Sequence, residues 1–326
     1  MITDIHRHFV PDEFLRFVQA EESFGIKIDR FESDYIDFTI RGGHLRLNST
    51  FFDLAKQAEQ MRRDGVERVI LSLATPFIDY PLDGKLAAEA ARVFNDSLAS
   101  AISSQRQRLG GWAFLPIQDP GVAAQELRRC VRDHGFIGGH IASNVRGVYL
   151  DDAQFEPVFR AAADLGVPLF VHPADPLGKD RTKEYELTIV AGYLFDNTIN
   201  ILKMVCSGFF DRWPSLKLVF AHAGAFSTIL RARMQREVET NPGLASALKM
   251  PIGHYLRHIY ADTICFEPAI LRHVANVIPI EHLLLGSDSP FPLREPDPVN
   301  FVRNALPARE AEFILNRNFE SLIGAA

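Results

Sequence analysis

The chain has 326 residues, 47% apolar and 23% charged, a balance that excludes disordered, collagen-like and membrane-embedded classes. Its 35 basic residues are outnumbered by 41 acidic ones, and the net charge of −6 offers no basic field for nucleic acid or an anionic membrane surface. Cys130, Cys206 and Cys265 lie far apart and read as reduced thiols, and MITDIHRHFV carries charge where a secretory signal needs an apolar run, so a cytoplasmic enzyme acting on a small molecule is expected.

Along the chain, short apolar runs alternate with longer segments of helical periodicity. The run at 2–6 is followed by an insertion at 10–51 and a helix at 52–64. Next come a run at 68–74 with a helix at 84–107, one at 110–115 with 120–134, and one at 136–141 with 151–165, where Asp151 or Asp152 can cap. The runs at 168–172, 216–222, 258–262 and 282–286 precede helices at 196–210, 225–239, 267–277 and 298–316. Eight strand-helix units in strict alternation predict an α/β protein with a (β/α)8 TIM barrel spanning 1–326 as a single domain; an open doubly wound sheet ranks second.

Within the insertion, Gly42 and Gly43 separate two alternating segments and predict a β-hairpin with a two-residue turn. Pairing Arg41 with His44 gives one apolar face (Phe38, Ile40, Leu45, Leu47) and one basic face (Arg41, His44, Arg46). Leaving the first strand, the hairpin must lie over the site rim, where a guanidinium can hold a carboxylate bidentately.

A barrel carries its chemistry at the C-terminal ends of its strands. Here those ends are His6 with His8, Thr75, Pro116, His140, His172, His222, Asp262 and Asp288. Residues two apart on a strand face the same way, so His6 and His8 can share one ion, and His172, closing Pro-Leu-Phe-Val-His, supplies a third nitrogen. Asp288, led onto the rim by Leu-Leu-Leu-Gly-Ser, completes an N3O set suited to zinc, with manganese, iron(II) and cobalt as competitors. His222 reads either as a fifth ligand or as the general base beside a metal-activated water. The strand-four segment has no lysine to bridge two ions, so one metal per chain is expected.

The motifs Asp4-x-His6-x-His8, His172-Pro173, Phe220-Ala-His222-Ala-Gly224 and Leu285-Gly-Ser-Asp288-x-Pro-Phe-Pro292 resemble the amidohydrolase-related (amidohydrolase 2) family, in particular its aminocarboxymuconate-semialdehyde decarboxylase branch. The resemblance implies that His6, His8, His172 and Asp288 bind zinc, that His222 activates the metal-bound water, and that the reaction is nonoxidative decarboxylation of a small unsaturated or aromatic acid. A metal-dependent hydrolase of an ester, lactone or C–C bond is the alternative on the same scaffold. It further implies a carboxylate-anchoring arginine in the first insertion, matched by Arg46 at an offset of one residue with Arg41 as the other candidate. A second arginine, around 231–233, reaches a partner subunit in the family and makes a homodimer the expectation. The branch's tryptophan after His-Pro is Ala174 here.

Overall fold

β-Branched and leucine-rich runs such as Arg-Val-Ile-Leu-Ser suit strands buried on both faces, because neither face of a helix-covered parallel sheet meets water. In the computed structural model these runs form β1 (Thr3–His8), β2 (Arg68–Ser72), β3 (Leu109–Phe114), β4 (Gly138–Ala142), β5 (Leu169–His172), β6 (Leu218–Phe220), β7 (Tyr260–Asp262) and β8 (Leu283–Leu284). Residues 1–78 and 82–324 are described; residues 79–81 and the last two of the expected 1–326 span lie outside the described residues. The strands pair in parallel in chain order. The ring closes where the amides of Ile5 and His8 donate to the carbonyls of Leu285 (2.9 Å) and Ser289 (2.8 Å), and the Asp288 amide donates to His6 (2.9 Å). Closure decides for the barrel over the open sheet.

The helices that flank the strands include α1 (Leu54–Arg63), α2 (Gly84–Ile102), α3 (Pro120–Arg129), α4 (Glu156–Leu165), α5 (Tyr193–Cys206), α6 (Ser227–Thr240), α7 (Pro268–Ala275) and α8 (Pro298–Ala305). The helix expected at 298–316 is two, because Pro307 forces Leu306 into an extended conformation and a second helix, Ala308–Asn316, starts after it. The run Thr188–Cys206 has the length and hydropathy of a membrane span, yet it holds Asp196 fully buried in hydrogen bonds within the fold.

Two apolar layers hold the barrel. Inside it, Ile5, Ile70, Trp112, Phe170, Val219 and Leu284 pack together, with Phe319 and Leu322 from the C-terminal helix joining them. Between barrel and helices lies the larger cluster, including Leu71, Phe94, Leu127, Phe159 and Leu271. The pairing of β1 with β2 is irregular between Asp4 and Arg7. Such an irregularity re-aims side chains, and here Ile5 joins the inner cluster while His6 and His8 both reach the rim.

The insertion forms a helix, Asp12–Ala20, and an antiparallel sheet of Ile26–Phe31, Tyr35–Ile40 and Gly43–Asn48, whose first strand the sequence did not reveal. The hairpin is present, but its turn is Arg41-Gly42 and not Gly42-Gly43: Ile40 pairs with Gly43 and Phe38 with Leu45. Both turn residues have positive φ (+48° and +82°), as a type I′ turn requires, and the Arg41 amide is taken by the Gly25 carbonyl at 2.8 Å. The register moves by two residues, so the apolar residues still share one face, but Arg41 leaves the ladder for the turn and Asp37 joins His44 and Arg46 on the other face, which is therefore not the purely basic one expected. Contacts of Phe38 with Phe77, Phe51 with Phe291, and Asn48 with the Pro290 carbonyl set this sheet over the exits of β2 and β8.

Candidate metal centre

His6, His8, His172, His222 and Asp288 converge in one pocket at the C-terminal rim. One ligand atom from each of His6, His172, His222 and Asp288 lies within 4.8 Å of the others. His8 joins them through its Nε2, 3.2 Å from His6 Nε2 and 3.0 Å from Asp288 Oδ1. The geometry therefore groups His222 as closely with the rest as the expected ligands.

Neighbouring groups choose the tautomers. His172 Nδ1 faces the Pro173 carbonyl (2.9 Å) and Thr75 Oγ1 (3.2 Å), and His8 Nδ1 faces the Leu73 carbonyl (3.3 Å) and Ser72 Oγ (3.1 Å). A carbonyl only accepts, so both imidazoles carry their proton on Nδ1 and turn an Nε2 lone pair inward. His6 Nδ1 sits 2.7 Å from Asp262 Oδ2 and is fixed in the same way. Inward lone pairs of His6 and His8 only 3.2 Å apart need a cation between them, and among the described residues His172 Nε2 is buried with no hydrogen-bond partner. This donor set fits a divalent ion.

The charges agree with that fit. Burial acts most strongly on His6 and opposes its charge, but the carboxylates of Asp288 and Asp262 outweigh it and raise the imidazole to about 10. Burial pushes His8 down, and His172 and His140 well down, so they stay neutral. Asp288 is held well below the usual carboxylate range: burial works against its ionisation, but His6, His222 and His8 overcome it. Metal-free, the pocket thus keeps a proton where an ion would sit.

Asp262 ends β7. Fully buried, it accepts from His6 Nδ1 (2.7 Å) and the His222 amide (3.0 Å) on Oδ2, and from the amides of Ala223 (2.8 Å) and Ile264 (3.0 Å) on Oδ1. One carboxylate thus orients His6 and holds the turn that carries His222. His222 and Asp288 both adopt left-handed φ, +60° and +61°, conformations that cost about 1–3 kcal/mol each and cluster at functional sites. His140, expected at a strand end, instead lies mid-strand in β4, fully buried near His172, and among the described residues neither ring nitrogen is hydrogen-bonded.

The two arginines differ. Arg46 is bidentate with Asp37 (2.7 and 2.9 Å) and stacks on Tyr35 at 4.0 Å, so its guanidinium is engaged inside the insertion. Nothing in the sequence signalled Asp37 as its partner before the register was known. Arg41 reaches the carbonyls of Pro76 (3.2 Å) and Ile78 (3.4 Å) beyond β2, and its charge acts on Tyr193, as does that of Asp288.

Residues 3–318 match the family described as Amidohydrolase. The chain belongs to the amidohydrolase family. Among this amidohydrolase's relatives is 2-amino-3-carboxymuconate-6-semialdehyde decarboxylase of Dictyostelium discoideum, 30% identical over 90% of this chain and 82% of the relative. Gamma-resorcylate decarboxylase of a Polaromonas species is 31% identical over 75% of this chain and 79% of its own. In fold, it is similar to 5-carboxyvanillate decarboxylase of Sphingomonas paucimobilis (TM-score 0.84, 23% identity, 99% of this chain and 98% of that one). A dihydroxybenzoic acid decarboxylase of Polaromonas, solved with bound manganese and 2-nitroresorcinol, is similar too (TM-score 0.80, 24% identity, 99% and 96%).

Proposed function

We propose that this amidohydrolase is a metal-dependent, nonoxidative decarboxylase of a small unsaturated or aromatic carboxylic acid. The observation that carries the reading is the convergence of three inward Nε2 atoms and Asp288 in one buried pocket, with His222 beside them, in a chain whose relatives are named decarboxylases. His6, His8, His172 and Asp288 would hold one divalent ion, zinc by the chemistry of the donor set, with manganese the ion named for a relative of like fold. When bound, that ion supplies Lewis-acid polarisation of substrate oxygens.

The chain's own residues then divide the work. Arg41, which reaches the carbonyls of Pro76 and Ile78 beyond the end of β2, is the arginine assigned to the substrate carboxylate; Arg46 holds Asp37 inside the insertion. His222 Nε2, 3.7 Å from Asp288 Oδ2, forms with it a pair that can pass a proton to the carbon bearing the carboxylate. Protonation there leaves the C–C bond to break, its electrons returning to the unsaturated system as carbon dioxide departs. A homodimer and a cytoplasmic location belong to the same proposal. The exposed apolar side chains Leu177, Ile189, Val190, Phe195 and Ile229 support the first, and three free cysteines the second.

The test is carbon dioxide release from a panel of aryl and unsaturated acids by protein whose metal content has been measured. We expect about one ion per chain and one carbon dioxide per acid consumed. A product that has gained water without losing carbon dioxide would put the hydrolase in its place. His222→Asn should lose turnover and keep its ion; loss of the ion would make His222 a ligand.

A further inference from the structure

Tyr193 begins α5 directly after a turn of wider pitch, Thr188–Gly192. The fold fixes its place from two sides. One helical turn on, the buried carboxylate of Asp196 accepts from Asn144 Nδ2 (3.0 Å), the Tyr149 hydroxyl (2.8 Å), the Leu177 amide (3.2 Å) and the Ser143 hydroxyl. Just before it, Gly192 lies beside Pro176, where a Cβ would stand at ordinary contact distance, 3.4 Å, from the proline ring. Held in this way, the Tyr193 ring lies edge-on to His172, with 6.5 Å between ring centres and 69° between planes.

The hydroxyls of Tyr149 and Tyr255 are paired with Asp196 and Asp211, whereas among the described residues that of Tyr193 makes no hydrogen bond with the protein. Burial acts most strongly on it, and the charged groups that influence it are Asp288, Asp175 and Arg41. Asp175 is ion-paired with Lys179, which leaves Asp288 as the carboxylate that repels an entering acid; the acid needs donors beside it, Arg41 is a cation of that group, and a phenol, with an ordinary pKa of about 10, is a donor at neutral pH. We propose that Tyr193 is a substrate-binding residue, its hydroxyl donating to a carboxylate oxygen of the bound acid on the side where Arg41 supplies positive charge. The inference rests on the carboxylic-acid reading above.

The experiment titrates metal-loaded protein and its Tyr193→Phe variant, matched in metal content, with benzoate and with phenol. The variant's Kd for benzoate should rise about tenfold, the loss of one hydrogen bond to a charged group, while that for phenol is unchanged. With an acid that is turned over, KM should rise similarly and kcat stay within about twofold. An equal loss for both probes would reveal a merely structural role, and an undiminished affinity for benzoate would likewise overturn the assignment. Wild-type protein that takes up neither probe would instead overturn the carboxylic-acid reading itself.

Discussion

Asp262 shows how much of this site is decided by a residue that need not touch an ion. All four of its hydrogen bonds are acceptances, two on each oxygen, and burial excludes water as a substitute. Asp262→Asn keeps the shape but turns an –NH2 toward groups that themselves donate. The imidazole of His6 loses the partner that fixes its tautomer, and the turn at His222 loses an anchor. We expect metal affinity to fall about 10–100-fold, measured by competition with a chelator, with the fold retained by circular dichroism. Unchanged affinity would mean that His6 is held by its other neighbours. The residues that converge in the pocket were legible in the sequence because alternation on a strand, an apolar run before a histidine and a Gly-Ser-Asp exit are local patterns. Asp262 was not, since its partner His6 is 256 residues away and only barrel closure brings them together.

At the scale of elements, the exit of β8 is where packing and chemistry meet. A Cβ on Gly286 would stand 2.8 Å from Asp262 Cβ and 3.2 Å from His6 Cβ, so the strand passes these two residues only because residue 286 has no side chain. Gly286→Ala should therefore cost about 1–3 kcal/mol in urea unfolding, through overpacking, and weaken metal binding by displacing both residues. Full stability together with full metal content would show that the backbone yields there without cost. The barrel strands were readable because each is a short apolar run bounded by turn residues. The insertion was less so: Ile-Lys-Ile-Asp-Arg-Phe alternates weakly and its outer residues are exposed, so little distinguished it from a loop. The hairpin register was misplaced because two adjacent glycines offered the obvious turn, while Arg41 takes a positive φ when its amide is bonded to Gly25.

For the whole molecule, closure and the metal centre share one seam. Arg7 is fully buried, with Nε 2.7 Å from Asp4 and a second ion pair to Asp64 at the end of α1. Asp4 also accepts from the amide (3.2 Å) and hydroxyl (2.6 Å) of Ser287, beside Asp288. On the other side of the same strand, His6 faces Asp288 and Asp262, and without an ion it is their proton that balances the charge. Because the His6 pKa is raised on folding, from 6.5 to about 10, its contribution to stability is complete below the unfolded value and is lost as pH rises through about 10. Asp288, depressed on folding, contributes above the ordinary carboxylate range and loses its share as pH falls. Metal-free protein should therefore lose stability between pH 6.5 and about 10. An ion in place of the proton removes that alkaline loss, and since the two compete, metal affinity should climb over the same interval. Urea midpoints at several pH values, with a chelator and with added zinc or manganese, measure both effects. Parallel pH curves with and without metal would show that the ion and the His6 proton do not compete for one place.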